Sequence, residues 1–224
     1  NHDQPRSVSR LGDDINYPFE SASMIASMMH LLKGMPYIYQ GEEIGLPNAY
    51  FESMDDYRDI ESINMKEILS ETFSKEDVVQ SLSAHSRDNG RTPIPWDHTK
   101  HYGFSTTTPW LKFSQHNNLQ TVSDVLEKEN SIFNWYQKLI DLRHTEKVVS
   151  KGKVFWPEDD HESLLVYGRS YGDETWLVYN NLEDKAVSIS FETLPQTIIL
   201  SNYNRKELKL SMTLNPYESL VVKL

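Results

Sequence analysis

Gly34-Met35-Pro36-Tyr37-Ile38-Tyr39-Gln40-Gly41-Glu42-Glu43-Ile44-Gly45 opens on a short apolar, β-favouring run that stops at Gln40-Gly41. That pattern predicts a fully buried strand over Met35 to Tyr39. Immediately before it, Ala22, Ile25, Met29 and Leu32 recur at helical spacing between Pro18 and Lys33, with Met24, Met28 and Leu31 widening the stripe. Pro18 suits the first turn of that helix and Gly34 its end. A helix followed by a buried strand is half of a βαβ unit, so this stretch sets the class as α/β.

Working outward, Glu42 to Tyr57 is a polar loop containing Pro and Asp, long enough to suggest a functional rather than an idle segment. Helices are predicted at about 59–69 and 75–86, the second introduced by Ser74 with Asp77 three residues on, close to a capping box. A second irregular stretch, rich in Thr, Pro and aromatic residues, runs from Arg87 to His116. An amphipathic helix marked by Ile132, Tyr136, Leu139 and Ile140 occupies about 131–147. From Gly152 the apolar period changes to two, and seven strands are predicted at 154–156, 163–169, 175–179, 186–191, 196–200, 208–214 and 219–224. A boundary near residue 150 is expected, with an α/β piece at 1–150 and an antiparallel β domain at 151–224.

Composition narrows the function. The 224 residues are 38% apolar, and 22 Lys plus Arg stand against 33 Asp plus Glu for a net charge of −11. A chain of this length and composition can bury a core, and its charge argues against nucleic acid or an anionic membrane surface as partners. The absence of cysteine excludes disulfides and thiolate metal sites and mildly favours a reducing, cytoplasmic compartment. No run approaches the roughly 20 apolar residues of a membrane span, and no signal peptide is recognisable. The chain opens at Asn1, without an initiator Met, directly on a polar cluster, and this start is expected to be a cut.

Two clusters can carry chemistry. Asn1-His2-Asp3-Gln4-Pro5-Arg6 brings a carboxylate, an imidazole and a guanidinium together on backbone stiffened by Pro5. Ser86-Arg87-Asp88-Asn89-Gly90-Arg91-Thr92-Pro93 sets two arginines four apart beside Asp and Asn, a hydroxyl or carboxylate clamp. Taken alone, each could equally be a solvated turn. No metal-ligand spacing is present, and no cofactor or metal is expected.

NHDQPR at 1–6, GMPYIYQGEEIG at 34–45, YRDIESIN at 57–64 and SRDNGRTP at 86–93 together resemble the α-glucosidases of glycoside hydrolase family 13, in the oligo-1,6-glucosidase and dextran glucosidase branch. The resemblance runs through most of residues 1–145, and the β-rich tail matches in character only. It implies the C-terminal portion of a (β/α)8 TIM barrel followed by an antiparallel β-sandwich domain, with the active site at the C-terminal ends of the barrel strands. On this resemblance Asn1-His2-Asp3 follows the seventh barrel strand and Pro36–Tyr39 is the eighth.

Retaining hydrolysis uses a nucleophilic carboxylate and an acid/base carboxylic acid about 5 Å apart. In this family both come from strands four and five, which the chain does not contain. The resemblance makes Asp3 the third catalytic-site acid and His2 a substrate ligand. It matches Arg87 to an arginine that contacts the terminal glucose or anchors a neighbouring acid, and Glu61 to an acid near the aglycone subsite.

Arg91, Asp55, Asp59, Glu42 and Glu43 are expected to be loop-fixing ion pairs. Pro95, Tyr102 and Lys66 depart from the family pattern without removing a catalytic group. The implied activity is release of glucose from the non-reducing ends of short α-1,6-linked gluco-oligosaccharides. Relatives acting as trehalose-6-phosphate hydrolases or sucrose isomerases carry similar strings. An alternative of another class is a non-catalytic carbohydrate-binding or interaction fragment. A barrel piece without its neighbouring strands is also expected to self-associate.

Overall fold

The computed structural model describes residues 1–158 and 161–224. The helices are α1 (Ser7–Leu11), α2 (Pro18–His30), α3 (Ile60–Ser70), α4 (Lys75–His85), α5 (Val122–Glu127), α6 (Ile132–Thr145) and α7 (Lys147–Ser150). The strands are β1 (Lys153–Phe155), β2 (Leu164–Tyr171), β3 (Glu174–Asn181), β4 (Val187–Ser190), β5 (Thr197–Ser201), β6 (Ser211–Leu214) and β7 (Ser219–Lys223). The chain divides into two compact units, one of residues 1–11 and 38–133, the other of residues 12–37 and 134–224.

In the second unit the period-two sequence forms a five-stranded antiparallel sheet in the order β1-β2-β3-β7-β5 and a two-stranded ribbon β4-β6. Register pairs Val166 with Tyr179 and Tyr179 with Leu220, so these side chains share one face. They pack with Ile189, Phe191 and Leu214 into a core between the sheet and the ribbon.

The alternate residues fill the other face. Tyr167 donates its hydroxyl to the Met28 carbonyl at 2.9 Å. Asn202 donates to Ser23 Oγ at 3.0 Å, and the Trp135 indole N–H donates to the Ser23 carbonyl at 3.0 Å. Four successive residues of β7 are buried as a result, because a strand covered on both faces has no solvent side.

The end of α2 is held in the same way. Arg143 donates to the His30 carbonyl at 2.6 Å and the Leu32 carbonyl at 3.2 Å. The fully buried Arg169 reaches the carbonyls of Leu31, Val149 and Gly152. Two guanidiniums thereby satisfy carbonyls that a helix end leaves without partners.

In the first unit, the polar loop after Gly41 turns inward. Ala49, Phe51 and Tyr57 are buried with Val78, Leu82 and Leu111, and Ile44 and Leu46 with Val125. Ser74 caps α4 by accepting the Asp77 amide at 3.2 Å, and Thr121 and Asp124 form a reciprocal capping box on α5, a short helix the sequence reading does not predict.

The expected buried strand at Met35–Tyr39 is not formed. Met35 and Tyr37 are 77% and 81% exposed, and among the described residues no strand pairs with this segment. An apolar run becomes a strand only when a neighbour completes its hydrogen-bond ladder.

Candidate active site

The first unit brings the two clusters together around a buried arginine. Arg6 donates Nε to the Asn89 carbonyl at 3.0 Å and also reaches the Gln40 carbonyl, while its own amide donates to Asn48 Oδ1 at 2.8 Å. Its guanidinium lies 5.4 Å from the Tyr39 ring centre, an arrangement with cation–π character. Burial lowers its pKa to about 10, against the opposing pull of Tyr39, Glu42 and Glu43. One side chain thus ties the 1–6 turn to Gln40 and to the 3-10 turn Arg87–Arg91.

Gly90 makes the close approach possible. A Cβ there would lie 2.8 Å from the Gln4 carbonyl oxygen and 3.0 Å from that of Asn1. Gly41 holds a left-handed φ of +94°, with Arg6 NH1 2.9 Å from where a Cβ would stand, so only glycine fits without strain.

Asp3 sits at the centre of an ion-pair cluster. Arg91 NH2 is 3.1 Å and Arg87 NH1 3.9 Å from Asp3 Oδ1, and His2 Nε2 is 3.1 Å from Asp3 Oδ2. Arg87 Nε lies 3.0 Å from Glu61 Oε2. Behind both arginines is Asp59, whose side chain is only 3% exposed, with Arg87 NH2 at 2.8 Å and Arg91 NH1 at 2.9 Å from its Oδ1. Burial pushes the Asp59 pKa up, but hydrogen bonds from Arg87, Arg91 and the Ser62 amide outweigh it and hold the carboxylate below its ordinary range. Arg87 is raised in turn, first by its hydrogen bond to Asp59.

The four residues singled out from the sequence, His2, Asp3, Glu61 and Arg87, therefore converge. Asp3, Glu61 and Arg87 line a cleft of about 1100 Å³ with Arg10, Tyr50 and Lys75. The sequence favours Arg87 over Arg91 as the functional arginine, whereas Arg91 makes the shorter contact with Asp3. The signal for it is the four-residue spacing within the 3-10 turn, which puts both guanidiniums on Asp59.

Asp55 pairs with Lys66 at 2.6 Å, so Lys66 serves a local ion pair. Glu42 and Glu43 accept the amides of Tyr39 and Gly41 respectively, and both exert a coulombic pull on the Arg6 guanidinium. At Tyr102 the backbone is left-handed, and its carbonyl accepts the Trp96 amide at 2.8 Å. Among the described residues no group of three or more His, Cys, Asp or Glu side chains could hold a metal ion, and no helix is long and apolar enough to cross a membrane.

Residues 1–152 match the α-amylase catalytic domain and residues 154–221 the maltogenic amylase C-terminal domain. The chain accordingly belongs to the α-amylase family, and its class is a portion of the (β/α)8 catalytic domain followed by an antiparallel β-sandwich. It is 42% identical to an oligo-1,6-glucosidase of Halalkalibacterium halodurans over 99% of this chain and 41% of that protein. It is 39% identical to a trehalose-6-phosphate hydrolase of Bacillus subtilis over 100% and 41%.

The crystal structure of Bacillus licheniformis trehalose-6-phosphate hydrolase superposes with a TM-score of 0.93 at 37% identity, covering all of this chain and 42% of that one. Isomaltulose synthase of Erwinia rhapontici, solved with sucrose, gives 0.89 at 32% identity, covering 100% and 41%. The chain thus spans about two-fifths of the length of the relatives it matches.

Proposed function

We propose that this chain is the C-terminal part of a retaining α-glucosidase that releases glucose from the non-reducing ends of short α-1,6-linked gluco-oligosaccharides in the cytoplasm. Its barrel portion occupies residues 1–150 and its β domain residues 151–224. The observation that carries this reading is the convergence of Asp3, Arg87 and Glu61 on one open cleft, with His2 and Arg91 in contact with Asp3, in a chain 42% identical to an oligo-1,6-glucosidase.

A partly exposed carboxylate held by a guanidinium and an imidazole is suited to gripping sugar hydroxyls while positive charge develops on the ring. Asp3 would do this for the terminal glucose, with His2 and Arg87 as ligands and Glu61 toward the departing sugar. The nucleophile and acid/base carboxyls would come from a preceding segment, so the chain alone should not turn over substrate. Its exposed Met35, Tyr37 and Ile38 would be covered by that segment or by self-association.

A phosphorylated disaccharide is the second reading, supported by the likeness to trehalose-6-phosphate hydrolases. The cleft opposes it, since four carboxylates (Asp3, Glu52, Glu61, Glu76) face three fixed cations (Arg10, Lys75, Arg87). The test is hydrolysis of isomaltose and of trehalose-6-phosphate by the chain alone and by the chain extended upstream to the length of its relatives. Isomaltose cleavage with retained anomeric configuration, by the extended form only, is expected. Turnover by the chain alone, or a preference for the phosphorylated sugar, would overturn the reading.

A further inference from the structure

We propose that Asp59 is a positioning residue that aims Arg91 and Arg87 at Asp3. The proposal rests on the functional reading above and deepens it. Asp59 is the N-cap of α3, and that duty takes only Oδ2, which accepts the Ser62 amide at 3.3 Å. Oδ1 accepts Arg91 NH1 at 2.9 Å and Arg87 NH2 at 2.8 Å, and Arg87 Nε is shared between Oδ1 at 3.1 Å and Oδ2 at 3.2 Å.

The mount is rigid. The Asp59 amide donates to Asp88 Oδ2 at 2.9 Å, and the Asp88 amide donates to Ser86 Oγ at 3.1 Å. Asp88 is itself fully buried.

The planar fork of Arg91 is then fixed at three points. Nε is on the His2 carbonyl at 3.0 Å, NH1 on Asp59, and NH2 on Asp3 at 3.1 Å. One buried carboxylate cannot neutralise two guanidiniums, and the excess positive charge faces Asp3 and Glu61. A planar donor fixed in this way delivers orientation as well as charge, which a flexible ammonium would not.

Asp59→Asn separates positioning from folding, because Asn caps a helix as well as Asp does. In the extended enzyme, Asp59→Asn should lower kcat by ~10²-fold with a smaller change in KM, the scale of a misplaced site group. Arg91→Lys should do the same while leaving the α3 cap untouched. In an Asp3→Asn background, Asp59→Asn should add no further loss, because the group it positions is already gone. A crystal structure of Asp59→Asn should show Arg91 NH2 moved out of contact with Asp3.

Unchanged kcat in both single variants, or losses that multiply with Asp3→Asn, would overturn the proposal, as would an unmoved Arg91. If the extended wild type hydrolyses no α-glucoside, the functional reading fails, and the position of Arg91 in the Asp59→Asn crystal still decides the positioning claim.

Discussion

Replacing Gly90 by alanine perturbs first the approach of the two site-bearing turns. The added Cβ would stand 2.8 Å from the Gln4 carbonyl oxygen and 3.0 Å from that of Asn1, whereas comfortable carbon–oxygen approach begins at about 3.3 Å. Both neighbours are backbone, so no side chain can rotate away and the 1–6 turn must retreat by roughly half an ångström. That turn carries Asp3, held 3.1 Å from Arg91, and the retreat stretches this contact. It also strains the bond from the Tyr39 hydroxyl to the Gly90 carbonyl, now 2.8 Å.

Overpacking of this kind costs about 1–3 kcal/mol, which for a chain of this size lowers the midpoint of thermal unfolding by roughly 2–4 °C per kcal/mol. In the extended enzyme the displacement of Asp3 should cost up to ~10²-fold in kcat. Scanning calorimetry and steady-state kinetics on isomaltose measure both. An unfolding midpoint within about 1 °C of wild type, with kcat unchanged, would refute the idea that the turns are packed to contact.

Leu220→Ala, in the core between the sheet and the ribbon and fully buried, should destabilise the second unit by about 3–5 kcal/mol in urea unfolding; a loss below about 1 kcal/mol would show that the core closes over the gap. The α5 capping box should fail in acid. Hydrogen bonds from Thr121, followed by the one from His98, lower the Asp124 pKa to about 2. Its contribution is therefore complete above the ordinary carboxylate range and lost as pH falls through about 2, and Asp124→Asn should remove that acid dependence from amide exchange in α5. In hydrogen exchange on the chain, α2 should be protected together with β2, β3 and β7, while Met35 and Tyr37 exchange freely. Equal exchange in α2 and in that segment would contradict the packing described.

The β region was legible because period-two alternation reports directly on which face of a strand is covered. All seven strands lie where the pattern predicts them, within a few residues at each end. The α2 helix was legible as a helix but not in its surroundings: its partners Trp135, Tyr167 and Asn202 lie more than 100 residues away, and local periodicity carries no address. Ala22, Met24 and Ile25 of the apolar stripe read from the sequence are buried, as is Ala26.

At the site, the family resemblance picked out Asp3, His2, Arg87 and Glu61. It could not tell which arginine faces Asp3, because Arg87 and Arg91 share one turn and the choice is made by Asp59, nearly 30 residues earlier. Asp59 itself looked like an ordinary loop acid, since burial is a property of the fold.

The central claim is that Asp3 is a catalytic-site carboxylate whose charge is used in the transition state, and kcat of Asp3→Asn in the extended enzyme tests it most directly. The account predicts a fall of ~10³-fold or more, with the near-ultraviolet circular dichroism and the unfolding midpoint close to wild type. A change confined to KM, with kcat within a few-fold of wild type, would make Asp3 a binding residue only and would contradict the account.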